Sequence, residues 1–150
     1  MASIREQITE ALITALNTDT PAGVPQCERS RGFATDTSVL PVMLFYPIHE
    51  EVQKVGPIGI GPVAKRSLNI RIDIRAESPA EGEPIDKVLD PMISWVSKAL
   101  VNNKLNGLVH DIAETGIDWQ IEMSDQQYGI ATVDLVVQYQ TLSNNAERTK

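Results

Sequence analysis

His49, Glu50 and Glu51 stand in a row, and that order begins a zinc-protease motif. In H-E-x-x-H the two histidines lie one helical turn apart and hold the metal, while the glutamate serves as general base. The fifth position here is Gln53, so the second ligand is missing. The other histidine, His110, stands beside Asp111 with no third ligand near it in sequence. Zinc takes three or four ligands, so the expectation is no metal site. Cys27 is the single cysteine, which leaves no intrachain disulfide and no cysteine metal cluster. It would act as a nucleophile only with an activating histidine beside it in space, and an inert thiol is the plainer reading. Gly59 to Ala64, "GIGPVA", fits the loose dinucleotide pattern G-x-G-x-x-A. That pattern needs a helix after it to hold pyrophosphate, whereas here Pro62 interrupts it and a strand follows.

Carboxylates are the remaining candidates. Asp111, Glu114, Asp118, Glu122, Asp125, Asp134 and Glu147 lie in the C-terminal third. Acid–base work by a carboxylate pair needs one member in an apolar pocket. Asp118, Glu122 and Asp134 instead alternate with apolar residues, as on the wet face of a sheet. The chain is therefore expected to carry no catalytic, cofactor-binding or metal-ligating residue and to need no cofactor.

The elements that would position these residues are legible from periodicity. Ile4, Ile8, Leu12 and Leu16 make one apolar stripe on a helix. Ser3 with Glu6 reads as a capping box, the hydroxyl accepting an early N–H and the carboxylate reaching back. Pro21, Gly23 and Pro25 end that helix. "CERSRGF", Cys27 to Phe33, suits an edge strand. "SVLPVMLFYP" is apolar but bracketed by Pro41 and Pro47, so it predicts at most a short strand, with "HEEVQKV" resuming after a turn. Three glycines and two prolines between Gly56 and Val63 predict a loop or the tip of a long hairpin, with Gln53 to Val63 expected to be mobile and to order on assembly. There Ile58 and Ile60 need a surface to cover them.

"SLNIRIDIRAE" alternates strictly. Leu68, Ile70, Ile72 and Ile74 point one way, and Asn69, Arg71, Asp73 and Arg75 the other. A second amphipathic helix follows, from Ile85 through Val88, Leu89, Met92, Ile93 and Val96 to Leu100. Pro84 stands near its start, Pro91 is placed to bend it, and Gly107 is a candidate stop. In "GIDWQIEMS" Ile117, Trp119, Ile121 and Met123 oppose Asp118, Gln120 and Glu122. The last strand, "ATVDLVVQYQTL", sets Val133, Leu135, Val137, Tyr139 and Thr141 against Thr132, Asp134, Gln138 and Gln140, with Val136 as the exception. Helix, strands, helix and two strands make an α+β fold, a mostly antiparallel sheet with both helices on one face. No linker divides the chain, so residues 1–150 are expected to form one domain, with 143–150 as a flexible tail.

The open side of the last strand and the alternating charges of "NIRIDIR" suggest contact rather than catalysis. Arg71, Asp73 and Arg75, spaced about 6.6 Å apart on a rigid strand, either solubilise that face or meet a neighbouring subunit, where such patterns fix register. With Ile58, Ile60, Gln138 and Gln140 they form the candidate assembly interface. Thirteen basic against 20 acidic side chains, a formal charge of −7, argue against a general nucleic-acid binder. The N-terminus has no secretory-signal pattern, and no apolar run approaches the roughly 20 residues that cross a bilayer. The expectation is a protein of a reducing compartment, without a membrane partner.

In order and pattern these segments resemble the tail terminator proteins of long-tailed bacteriophages, the group that includes minor tail protein U-like and tail-completion proteins. The resemblance runs over most of the chain. "IREQITEALITAL" opens it, and "LPVMLFYP" follows a weak strand. "LNIRIDIRAE" leads into "PIDKVLDPMISWVSKAL", then "LNGLVHDIAETGIDWQIEM", and "ATVDLVVQYQT" closes with the tyrosine-then-threonine signature at Tyr139 and Thr141. The loop from Gln53 to Val63 is richer in glycine and proline than that pattern. The resemblance implies a structural, late virion protein forming a homohexameric ring at the head-proximal end of the tail, assembled in the host cytoplasm. Its partners would be itself, the major tail tube protein, a head–tail connector or neck protein and the tape measure protein. Genome DNA would pass through the lumen without specific binding. A head–tail connector or stopper, another tail assembly protein, and a small α+β enzyme or ligand-binding domain are the alternatives.

Overall fold

A computed structural model describes residues 3–29, 40–55, 63–78, 83–122 and 128–142. The first apolar stripe folds as helix α1, Ile4–Leu16, with Ile4, Ile8, Leu12 and Leu16 all buried. The Ser3 hydroxyl accepts the Glu6 N–H at 3.1 Å. The Glu6 carboxylate, expected to reach back to the cap, ion-pairs instead with Arg29 at 2.7 Å. Asn17 follows the helix and uses its amide as a backbone mimic. Its Nδ2 donates to the Cys27 carbonyl (3.0 Å) and its Oδ1 accepts the Cys27 N–H (2.6 Å). That pair sets strand β1, Cys27–Arg29, beside the end of α1.

β1 runs parallel to β2, Val42–Val55, which is antiparallel to β3, Val63–Glu77. β2 corrects the expectation of a short strand ending at Pro47. It passes through Pro47 for 14 residues, and no turn separates "LPVMLFYP" from "HEEVQKV". Proline is tolerated at this point because the ladder shifts register there. Pro47 pairs with Ile70 and His49 with Asn69, leaving Ile48 as a bulge. β1 pairs only with Met43–Phe45, so the rest of β2 is an edge among the described residues.

Helix α2 spans Ile85–Leu100 and contains Pro91. It stops at Leu100 rather than at Gly107. Gly107, with φ +88°, closes a 3-10 turn, Leu105–Gly107, that follows. Strand β4, Asp111–Glu122, and strand β5, Tyr128–Leu142, complete a sheet of order β1-β2-β3-β5-β4. The fold is α+β, with both helices on one face of a mixed, mostly antiparallel sheet.

The predicted inward sets are buried: Leu68, Ile70, Ile72 and Ile74 from β3, and Val133, Leu135, Val137, Tyr139 and Thr141 from β5. Val136, the exception in the alternation, stays on the open face, half-buried. The Trp95 indole N–H donates to the Leu16 carbonyl at 2.9 Å and ties α2 to the end of α1. β5 approaches α2 closely at Gly129, where an added Cβ would lie 2.8 Å from Ile85 Cγ1 and 3.2 Å from Leu89 Cδ1. Trp119 and Ile121 lie on the helix side, as their alternation predicts, but remain 51% and 44% exposed. Among the described residues β4 is an edge strand, and Trp119 borders an open cleft that it shares with Asp86, Lys87, Asp90 and Pro91 of α2. Residues 30–33 of the first candidate strand, residues 56–62 with Ile58 and Ile60, Met123 and the tail 143–150 lie outside the described residues, as does most of "GIGPVA".

Candidate functional site

The face opposite the helices is uncovered by any described element, and it has two halves. In the first, the charges of "NIRIDIR" turn on one another and on their neighbours. Arg71 grips Asp134 of β5 with two parallel bonds, Nε to Oδ1 at 2.8 Å and Nη2 to Oδ2 at 3.3 Å. This bidentate geometry is the strong form of the contact. It pushes the Arg71 guanidinium further up, first through the Asp134 hydrogen bond. Asp73 accepts from the Tyr46 hydroxyl and the Thr132 hydroxyl, each at 3.1 Å, and Arg75 approaches it at 3.7 Å. Asp73 is only 8% exposed. Burial, then the Asp73 charge, raises the Tyr46 phenol. The alternating charges predicted from sequence thus share one face, but they are engaged inside the chain.

The second half lies toward the Val55 end of β2. There the twisted sheet forms an open trough of about 830 Å3. His49 and Glu51 of β2, Lys65 and Ser67 of β3, and Gln138 and Gln140 of β5 project into this side of the sheet. His110, just before β4, joins them because its N–H donates to the Gln138 carbonyl at 2.7 Å. The two histidines, distant in sequence, therefore share one cavity. Cys27 does not line it. Cys27 is buried, and burial, then Glu28, pushes its thiol up to about 12, far from the range of an activated nucleophile. Among the described residues, no three histidine, cysteine or carboxylate side chains are placed to hold a metal ion. Also among the described residues, no helix is long and apolar enough to cross a membrane.

On the helix side, behind the trough, sequence reasoning missed a polar hub. The bulge at Ile48 turns Glu50 toward the helices. Its carboxylate accepts from Arg5 of α1 (Nη2 2.7 Å, Nε 3.2 Å), from Arg66 of β3 (3.0 Å) and from the Tyr139 hydroxyl. Arg66 also donates to Thr141 at 2.9 Å. Burial alone would raise the Glu50 carboxyl. The hydrogen bonds from Arg5, Tyr139 and Arg66 outweigh it and hold the group below its ordinary value. Burial, then the Glu50 hydrogen bond, raises the Tyr139 phenol. Tyr139 and Thr141, singled out above as a signature, are thus the β5 members of this hub. The only hint in sequence was their polarity at inward positions.

No protein-family model and no curated protein sequence matches the chain. Among solved structures, the chain is similar to one from the "Virion of native gene transfer agent (GTA) particle". That likeness has 13% identity and a TM-score of 0.41, and covers 91% of this chain and 92% of the other. A likeness this weak assigns no role to any residue.

Proposed function

We propose that the chain is a structural virion protein of a phage-like particle. It forms a ring, a homohexamer, that caps the head-proximal end of the tail tube, stops tube growth and offers the surface on which the head is joined. The sequence resemblance carries this reading: over most of the chain, the loop from Gln53 to Val63 apart, the order and pattern of the segments resemble those of the tail terminators. The described fold supports it. Helices close one face of the sheet, and the other stays polar and open, with part of it engaged internally and part, among the described residues, carrying side chains without a partner in the chain. Capping then follows from complementarity. One ring face fits the last ring of the tube, and the other does not template a further one. Six copies at −7 each carry −42, and any of those acidic groups that line the bore would repel phosphate and let DNA pass without adhering.

Electron microscopy of the purified protein in negative stain tests the oligomer directly. Closed rings of a single size are expected. A monomer at every concentration would contradict the reading.

A further inference from the structure

The open sheet face is unequal in its hydrogen bonding, and that inequality locates a contact. Around Asp73 the charged groups have partners within the chain. Around the trough, among the described residues, no hydrogen bond or ion pair engages the side chain of His49, Lys65, Ser67, His110, Gln138 or Gln140. Amide and hydroxyl groups both donate and accept, so such a patch can satisfy another protein surface of the same composition.

We propose that the trough is the surface through which one copy of this chain binds a second copy, and that the Arg71–Asp73–Arg75 half is not. The inference rests on the ring reading above and deepens it. Charge selects the occupant. The chain carries −7, so two copies repel over most of their surfaces. The charged side chains that project into the trough are one acidic, Glu51, and one basic, Lys65, while Glu50 and Arg66 pair with each other on the helix side. With neutral histidines they sum to zero. The excess negative charge therefore lies elsewhere, and like copies meet with least repulsion here. A nucleic acid is a poor occupant, because it needs an excess of basic groups. An apolar partner is equally poor, since Val52 is the one exposed large apolar residue of the lining.

Sedimentation velocity over a concentration series, with circular dichroism as the folding control, tests this. Lys65→Glu with Gln138→Glu takes the lining from zero to −3 and should weaken self-association at least tenfold. Gln138→Trp, which blocks the trough without adding charge, should weaken it similarly. Arg71→Ala, on the other half, should leave it within about twofold. Wild-type association with unchanged association in both trough variants would overturn this inference and leave the ring reading standing. Loss of association in Arg71→Ala would place the contact on the other half and overturn it as well. A wild-type protein that never associates would overturn both.

Discussion

Glu50 shows how far one residue can depart from what its neighbours in sequence suggest. "HEEVQKV" suggests a strand resuming after a turn, and nothing in it marks Glu50 as facing inward. A single bulged residue, Ile48, instead places the Glu50 carboxylate between Arg5 and Arg66, with a side chain 12% exposed. Replacing Glu50 with Gln leaves two guanidinium groups short of their acceptor, and the loss of a hydrogen-bonded buried partner costs about 1–3 kcal/mol. A lower urea midpoint at pH 7 is the expected result. The pH dependence has a definite sign. The folded carboxyl lies below its unfolded value of roughly 4.3, so its contribution is complete above that pH and is lost as pH falls through the folded value. The gap between wild type and Glu50→Gln should therefore narrow below about pH 4. A gap constant from pH 7 to pH 3 would show that the charge on Glu50 is not what holds the hub.

The elements themselves were largely legible. Four-residue spacing in Ile4, Ile8, Leu12 and Leu16, and strict alternation in β3 and β5, name their buried faces correctly because one face of each is wholly covered. Legibility failed where the ladder is irregular or ends. Pro47 looked like a stop, but a bulge and an open edge let β2 continue. Trp119 and Ile121 alternate as a packed pair would, yet periodicity carries no information about whether a helix extends above them. The contact between β5 and α2 at Gly129 was equally hidden, since it depends on how two distant elements approach. Gly129→Ala must displace Ile85, whose Cγ1 is not a free tip. Overpacking of this kind costs about 1–3 kcal/mol, to be read as a fall in thermal midpoint with secondary structure retained. An unchanged midpoint would mean that α2 is free to slide outward.

At the scale of the molecule, the candidate site was legible only in part. Alternation put Arg71, Asp73, Arg75, Gln138 and Gln140 on one face, which they share. It could not distinguish charges engaged by Asp134, Tyr46 and Thr132 from amides left without partners, because those pairings cross between strands. The net charge of −7 makes a further statement about assembly. Repulsion between acidic copies is screened by salt, with a Debye length of about 30 Å at 0.01 M and about 8 Å at 0.15 M. Self-association should thus strengthen as sodium chloride rises over that range, as light scattering would record. Weakening over the same range would mean that attractive ion pairs dominate the contact.

If this chain ends a tail tube, as proposed above, tube growth must respond to its presence. Tube protein of the same particle is polymerised with and without the purified chain, and lengths and ends are scored by electron microscopy. Growth is expected to halt on addition, with a ring at one end of each tube. Tubes that lengthen at an unchanged rate, with bare ends and free protein in solution, would contradict it.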